Sequence, residues 1–333
     1  MAGELRVIAT AGHVDHGKSS LVMRLTGIDP DRWVEEKRRG LTIDLGYAWC
    51  TLPSGRDIAF VDVPGHERFI ANMLAGVGPV PLVLFVVAAD EGWKPQSEEH
   101  LQILDVLGVT AAVVALTKRD LVDEETLRIG TGEVRERMAD TGLAAAPVVP
   151  VSSTTGAGLD ELRAALDAML TTAPMPADAR ARLFVDRVFT MKGAGTVATG
   201  TLTGDCLTIG EEVEVYPTGR RARVRSLQSH GVAHERACPV SRVAANLAST
   251  DREVLHRGDV LGRAGDWRPT RILEASLRPV RGLDHPVTSR GAFKVYAGAA
   301  EVDARLRIYG TPALRPGEES FARIRLSRPL TLD

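Results

Sequence analysis

The sequence predicts an α/β domain with a doubly wound, mostly parallel sheet, followed by two antiparallel β-barrel domains. In the first half, apolar runs alternate with helical patterns, and a phosphate-loop motif directly follows the first run. In the second half the pattern changes to short alternating stretches, which is typical of small barrels. We expect domains at 1–173, 174–267 and 268–333, the last of them incomplete.

The apolar runs of the first domain are RVIAT, IAFVD, LVLFVVAA, AAVVALT and PVVPVS. They lack period-two alternation, which is typical of parallel strands covered on both faces. Segments such as 98–107 and 124–138 carry apolar residues three and four positions apart, which predicts helices between the strands. After the proline-containing segment 171–179, stretches such as FVDRVFTM, GTVATGTL and RLRIYG predict barrel strands, with a further break at 265–271.

Composition and charge exclude several classes of protein. The chain has 333 residues, 44% of them hydrophobic. No apolar run approaches the ~20 residues of a membrane span, and a signal-peptide pattern is missing, so we expect a cytoplasmic monomer without membrane contact. The cysteines Cys50, Cys206 and Cys238 match neither a disulfide framework nor a zinc site. We interpret them as small buried residues.

The net charge of −2 hides an asymmetry. Residues 1–179 carry 16 Lys and Arg against 26 Asp and Glu, a net charge of −10, whereas 180–333 carry 25 against 17, a net charge of +8. A basic second half predicts a polyanionic partner. The alternative is that arginine is simply frequent there.

The phosphate-loop motif is the strongest local signal. Gly12, Gly17, Lys18 and Ser19 fit G-x-x-x-x-G-K-[ST] between a predicted strand and a predicted helix. Backbone N–H groups of such a loop wrap nucleotide phosphates, the lysine reaches the β- and γ-phosphates, and the hydroxyl is a Mg²⁺ ligand. The nucleotide-binding candidates here are Gly12, His13, Val14, Asp15, His16, Gly17, Lys18, Ser19 and Ser20, with the two histidines in a structural role.

Two further motifs specify the metal and the base. Asp62 ends a predicted strand and precedes Pro64-Gly65, as expected of a carboxylate that holds Mg²⁺ and a glycine that lets the backbone approach the γ-phosphate. In LTKRDL, Asp120 can accept from both the N1–H and the N2 amine of guanine, whereas adenine offers neither donor. The expected cofactors are therefore GTP and Mg²⁺. Residues expected to support the base are Thr117, Lys118, Ser152, Ser153 and Thr154.

With these motifs in this order, and KRRGLTIDLGY between the first two, the chain resembles the translational GTPases of the elongation factor Tu type over its whole length. The resemblance implies GTP hydrolysis stimulated by the ribosome, with Thr42 as a Mg²⁺ ligand when the γ-phosphate is present. It also implies that His66 positions the attacking water behind an apolar gate of Val14 and Leu41. The alternative for His66 is an ordinary loop histidine.

At two positions the chain departs from the general elongation factor pattern, and there it resembles one branch of that family, the selenocysteine-specific elongation factors. Thr117 replaces the Asn of N-K-x-D, and Val63 replaces the Thr of D-T-P-G-H. GLTIDLGYA, ANMLAGVG and DRVFTMKGAGTVATGT favour the same branch. The resemblance implies that selenocysteinyl-tRNA lies across the basic barrels and is delivered to the ribosome at recoded UGA codons. An mRNA hairpin would be bound only through a C-terminal region that is absent here.

The same resemblance implies an aminoacyl pocket between the GTPase domain and the first barrel. A selenol is largely ionised at neutral pH where a thiol or a hydroxyl is not, so fixed cations would discriminate by charge. By alignment to DRVF and SRVAANL the candidates are Arg187 and Arg242, with Asp186 and Asp44 nearby. The alternative is that both arginines are ordinary barrel-surface residues.

Other functions stay open. One is a related GTPase that carries another aminoacyl-tRNA or initiator tRNA, or that acts in sulfate activation. Another, of a different class, is a nucleotide-gated binding scaffold without productive hydrolysis. A generic phosphate-loop ATPase or kinase is disfavoured by Asp120.

Overall fold

The computed structural model describes residues 6–31, 36, 38, 42–66, 69–172, 180–191, 195–248, 252–280 and 282–332. Its first domain contains six strands, β1 (Arg6–Ala11), β2 (Gly46–Thr51), β3 (Asp57–Asp62), β4 (Leu82–Ala88), β5 (Ala111–Thr117) and β6 (Val148–Pro150). They lie in the order β2-β3-β1-β4-β5-β6, and all neighbours are parallel except β2 and β3. The chain order reverses between β1 and β4, which is where open α/β sheets bind ligands.

Helices cover both faces of this sheet: α1 (Lys18–Thr26), α2 (Ile70–Val77), α3 (Pro95–Val106), α4 (Glu124–Met138) and α5 (Leu159–Thr172). The predicted helices at 98–107 and 124–138 are confirmed as α3 and α4. Alternate residues of β4 belong to two apolar clusters, Phe85 to one and Leu84 to the other, because both faces of the sheet are buried. Among the described residues, no helix is long and apolar enough to cross a membrane.

The second domain is an antiparallel barrel. Its main strands are β7 (Arg182–Met191), β8 (Gly195–Thr203), β10 (Glu212–Tyr216), β11 (Arg220–Ser229), β14 (Ser241–Ala248) and β15 (Val260–Arg263), with short β9 (Leu207–Thr208), β12 (Val232–His234) and β13 (Arg236–Ala237). The order β10-β15-β7-β8-β14-β11 is closed by pairing of β11 with β10. β12 pairs with β11, and β9 pairs with β13.

The third domain is also antiparallel and β-rich, so the predicted fold class is confirmed. Its strands are β16 (Pro269–Leu277), β17 (Val287–Thr288), β18 (Phe293–Ala297), β19 (Ala300–Ile308), β20 (Ala313–Leu314) and β21 (Ser320–Thr331). Within the described part of the chain they form an open sheet, β16-β21-β19-β18, and a ribbon of β17 with β20.

The interpretation of all three cysteines as small buried residues is wrong. Cys206 and Cys238 form a disulfide, the second of them is exposed, and the free Cys50 is half-buried. Because β9 and β13 pair Leu207 with Ala237, the two cysteines occupy the next opposed position of the same antiparallel ladder. A two-residue ladder leaves no periodicity in a sequence, so spacing alone could not predict this pair.

Candidate nucleotide-binding site

The phosphate loop, residues 12–19, joins β1 to α1 through a turn that demands glycine at two positions. Gly12 has φ +128°, and a Cβ there would lie 2.1 Å from the carbonyl oxygen of Val86. Gly17 has φ +84° and is the N-cap residue of α1. The loop therefore lies at a helix N-terminus, a position that favours phosphate binding.

Lys18 lies beneath this loop. Its Nζ donates to the carbonyl oxygens of Gly12, at 3.0 Å, and His13, at 2.7 Å. The residue is only 6% exposed, and burial lowers the pKa of its ammonium group to about 8, because a poorly solvated site disfavours the cation. An anion bound in the loop would favour the charged form again.

The three predicted Mg²⁺ ligands converge. The Ser19 hydroxyl donates to Asp62 Oδ2 at 2.6 Å and lies 2.9 Å from Thr42 Oγ1. The Thr42 hydroxyl donates to Asp31 Oδ1 at 3.0 Å, a carboxylate that sequence reasoning missed because nothing but its place after α1 marks it. Burial raises the pKa of Asp62 to about 6. Hydroxyl and carboxylate oxygens are the donor set that suits Mg²⁺ completed by phosphate oxygens.

A cavity of about 470 Å³ adjoins these groups, lined among others by Lys18, Ser19, Thr42 and Gly65. Gly65 admits no side chain, because a Cβ there would lie 2.5 Å from Lys18 Nζ and 2.6 Å from the Val14 nitrogen. The half-buried His66 follows Gly65 directly, so its backbone lies close to the phosphate loop. Its predicted gate partner Leu41 lies outside the described residues.

Thr117, the departure from N-K-x-D, still joins β5 to the phosphate loop. Its hydroxyl donates to the His16 carbonyl at 2.7 Å, and the residue is 2% exposed. Lys118 has φ +57°, and its Nζ pairs with Glu91 at 2.8 Å and Asp90 at 3.3 Å. These acidic partners hold the lysine stem along the rim of the site.

Asp120 lies exposed in the turn that follows β5. The N–H of the neighbouring Arg119 donates to the Val151 carbonyl at 3.2 Å, which brings the predicted base-reading loop against the turn after β6. In that turn Ser152 is buried, and its hydroxyl accepts a backbone N–H at 3.0 Å. The base-supporting candidates also include the half-buried Ser153 and the exposed Thr154.

Helix α3 holds the phosphate loop from the other side, which sequence reasoning missed. His100 Nδ1 accepts the Gly12 N–H at 2.9 Å, and Gln96 Oε1 accepts the Val14 N–H at 3.1 Å. The signal was a histidine and a glutamine four residues apart, which places both on one helix face. Burial lowers the pKa of His100 to about 3 and that of His16 to about 4, so both rings are neutral.

A second candidate site lies between the first domain and the barrel. We call Asp44, Tyr47, Asp186, Arg187 and Arg242 the interface cluster. Arg242 makes a two-pronged ion pair with Asp186, one contact being Nη2 to Oδ1 at 2.6 Å. Its guanidinium also lies 3.9 Å from the centre of the Tyr47 ring. Arg187 Nη2 donates to Asp44 Oδ2 at 2.8 Å.

The two arginines are not ordinary barrel-surface residues. The side chain of Arg242 is 13% exposed and that of Arg187 is 24% exposed. Burial opposes the charge of Arg242, but the Asp186 carboxylate outweighs it and raises the pKa of the guanidinium. An adjoining cavity of about 230 Å³ is lined by both arginines together with Tyr47 and Trp49.

The phosphate loop, the converging predicted Mg²⁺ ligands and the predicted base-reading loop lie on one sheet edge, as expected of a guanine-nucleotide-binding protein. The family model described as the elongation factor Tu GTP binding domain matches residues 3–172. The chain therefore belongs to the GTPases of the elongation factor Tu type.

The predicted resemblance to one branch of that family is confirmed. The chain is 43% identical over 325 residues to the selenocysteine-specific elongation factor of Desulfomicrobium baculatum, covering 97% of this chain and 51% of that protein. A crystal structure of a bacterial selenocysteine-specific elongation factor superposes with a TM-score of 0.88 at 32% identity, covering 98% of this chain and 54% of the other. The chain spans about half the length of the curated relatives it matches.

The elongation factor SelB of Methanococcus maripaludis, solved with the GTP analogue GppNHp, superposes with a TM-score of 0.84 at 25% identity. That alignment covers 100% of this chain and 74% of the other. It extends over all three domains, and the matched structure contains a guanine nucleotide analogue. Guanine-nucleotide binding is therefore the activity that the family, the neighbour and the site geometry share.

Proposed function

We propose that this chain is the carrier part of a selenocysteine-specific elongation factor, which binds selenocysteinyl-tRNA in its GTP form and delivers it to the ribosome. GTP hydrolysis then accompanies release of the tRNA at recoded UGA codons. The observation that carries the proposal is the interface cluster, where two poorly exposed arginines lie over Tyr47 beside a cavity. The proposed location of the protein is the cytoplasm.

Ser19, Thr42 and Asp62 are the residues that would hold Mg²⁺ together with the phosphates. A bound ion would supply positive charge that neutralises the phosphates. Thr42 belongs to the loop before β2 and contacts Asp31 and Ser19, so a shift of that loop would remove one ligand. This is a direct route by which the state of the nucleotide alters the surface of the first domain.

His66 is the proposed positioning group for the attacking water. Phosphoryl transfer depends mainly on positioning and charge stabilisation. The His66 ring lies 6.0 Å from the Phe69 ring, and its chain segment follows Gly65, which lies against the phosphate loop. We therefore expect slow intrinsic hydrolysis that rises when the ribosome moves the imidazole toward the γ-phosphate.

The interface cluster would recognise the aminoacyl group by charge. Arg187 pairs with Asp44, and Arg242 pairs with Asp186, so each guanidinium already has an anionic partner. Because each guanidinium keeps its carboxylate, a selenolate would add a further anion beside these cations, whereas a serine hydroxyl or a protonated thiol brings no charge.

The charge of the third domain supports a polyanionic partner. On its open sheet Arg305 lies directly opposite Arg325, and both are exposed. Arg307 lies opposite Arg323, whose guanidinium is already paired with Glu274. Like charges in directly opposed positions destabilise a sheet. Phosphates of a tRNA backbone would relieve that repulsion and add salt-dependent affinity.

The test compares protection of the aminoacyl ester in selenocysteinyl-tRNA by GTP-bound variants. Arg187→Ala and Arg242→Ala should lose most of the protection of the selenocysteinyl ester relative to the seryl ester. Arg128→Ala is the matched control, because this arginine also pairs with a carboxylate, Glu125, but on the exposed surface of α4. Unchanged ligand preference in both interface variants would contradict the assignment and favour a carrier of another tRNA.

A second test separates the carrier from a nucleotide-gated scaffold. His66→Ala should abolish ribosome-stimulated hydrolysis while GTP affinity stays unchanged. Stimulated turnover that persists in this variant would show that another group positions the water. Equal binding of ATP and GTP would contradict the role of Asp120.

A further inference from the structure

The second domain contains a disulfide that neither the nucleotide site nor the interface cluster explains. Cys206 and Cys238 are bonded across 32 residues of chain. Cys206 precedes β9 and Cys238 follows β13, so they extend the ladder that pairs these strands. Cys206 is 9% exposed, whereas Cys238 is exposed, so a thiol in solution would approach the bond from the Cys238 side.

Cys238 borders the segment that attaches the barrel to the first domain. We call residues 239–242 the anchor segment. Within it, Val240 is 1% exposed and belongs to an apolar cluster whose other buried members lie in the first domain. Arg242 pairs with Asp186 and lies over Tyr47. The disulfide therefore fixes one end of a four-residue segment whose other end fixes the domain interface.

The Cys206 side of the bond is held independently of the disulfide. Arg263 donates to the Cys206 carbonyl at 3.2 Å and pairs with Asp205 at 2.8 Å and Glu211 at 2.6 Å. These contacts keep the chain around Cys206 in place when the bond opens. Reduction would consequently release Cys238 and the anchor segment rather than the β8–β9 turn.

We propose that Cys206 and Cys238 form a reversible thiol–disulfide pair that sets how firmly the anchor segment holds the domain interface. The proposal rests on the proposed function only for its cellular setting, since a translation factor works where thiols are kept reduced and disulfides there are mostly redox-sensing or catalytic. Exposed disulfides belong to the labile, regulatory class.

The reaction is exchange with a dithiol reductant. A thiolate of the reductant attacks Cys238 Sγ, the Cys206–Cys238 bond breaks, and its electron pair leaves on Cys206 Sγ, which takes up a proton. The second thiol of the reductant then attacks the mixed disulfide and releases Cys238 as a thiol. The protein gains two electrons and two protons, and the reductant becomes a disulfide.

The test uses the purified 333-residue chain, fully reduced with dithiothreitol or equilibrated in glutathione buffers of increasing oxidised fraction. Thiols counted after denaturation should fall from three to one with a single reversible midpoint, and from two to none in Cys50→Ser. Amide exchange in the first half of β14 should be faster in the reduced chain, on the order of tenfold. Exchange in β4 of the first domain is the internal control and should not change.

Three thiols at every buffer ratio would overturn the proposal, as would equal β14 exchange in the oxidised and reduced chains. In the Cys206→Ser variant, the β14 amides should exchange at the rates of the reduced wild type. The comparison of oxidised with reduced wild type uses no substituted protein. Neither readout uses nucleotide or tRNA. A chain that fails to protect selenocysteinyl-tRNA can therefore still support the redox pair, and a working carrier can still refute it.

Discussion

Acidification should loosen the first domain, because two neutral histidines lie buried around the phosphate loop. The pKa of His100 is lowered from 6.5 to about 3 and that of His16 from 6.5 to about 4, both by burial. Since the folded-state values are lower, the unfolded chain binds the extra protons. Stability from these groups is therefore complete above pH 6.5 and is lost as the pH falls toward the folded-state values.

The size of the effect follows from linkage. Between pH 7.5 and 5.5 each histidine removes about 1.3 kcal/mol of unfolding free energy. Asp62 acts in the opposite direction, because burial raises its pKa from 3.8 to about 6. Its protonation over the same pH range adds about 0.8 kcal/mol to the unfolding free energy. The net loss in the nucleotide-free, Mg²⁺-free chain is about 2 kcal/mol.

The assay is amide hydrogen exchange in β1 and β4, corrected for the intrinsic pH dependence of exchange. Opening of these strands should become ~25-fold more favourable at pH 5.5 than at pH 7.5. His100→Asn keeps an acceptor for the Gly12 N–H but cannot titrate, so its pH effect should shrink to about twofold. An unchanged pH effect in His100→Asn would refute the assignment of His100 as a buried neutral acceptor.

Three substitutions test other parts of the account. Gly12→Ala should abolish GTP binding, because its Cβ would lie 2.1 Å from a β4 carbonyl oxygen. The control Gly27→Ala, also at positive φ but in open space, should bind GTP normally, and equal GTP affinities of the two variants would contradict the steric argument. Thr117→Ala should weaken binding of a fluorescent GTP analogue about tenfold, since it leaves a phosphate-loop carbonyl unpaired, while Thr117→Ser should bind like the wild type. Unchanged binding in the alanine variant would show that the hydrogen bond from Thr117 to the His16 carbonyl does not support the loop. Arg242→Ala should destabilise the second domain by about 3–5 kcal/mol, because it leaves the buried Asp186 without its ion-pair partner. The measurement is the protease sensitivity of that domain, and resistance like that of the wild type would show that the pair contributes little.

The sequence predicted the fold class because its signals are local and periodic. Runs such as LVLFVVAA lack alternation because β4 is buried on both faces, and the period of 124–138 is that of helix α4. The antiparallel edge strand β2 was missed, since its mixed pattern of buried and exposed residues resembles neither signal. The domain boundaries near 173 and 267 remain predictions, and residues 173–179 lie outside the described part of the chain.

The candidate site was predictable where one residue type has a fixed place in a motif, as for Lys18 and Asp62. It was not predictable where the contact depends on tertiary placement. Asp31 meets Thr42 only because two loops fold together, and His100 meets Gly12 across 88 positions of sequence. The Cys206–Cys238 bond was not predicted for the same reason, because the register of two strands brings the cysteines together.

The carriage of selenocysteinyl-tRNA that we propose for this chain depends on GTP. Its most direct test is the rate of spontaneous ester hydrolysis in selenocysteinyl-, cysteinyl- and seryl-tRNA at fixed salt, with the purified chain bound to GTP or to GDP. The account predicts protection of the selenocysteinyl ester alone, lost when GDP replaces GTP. Equal protection of all three esters would contradict the specificity assigned to the interface cluster, and protection of none would contradict the carrier function itself.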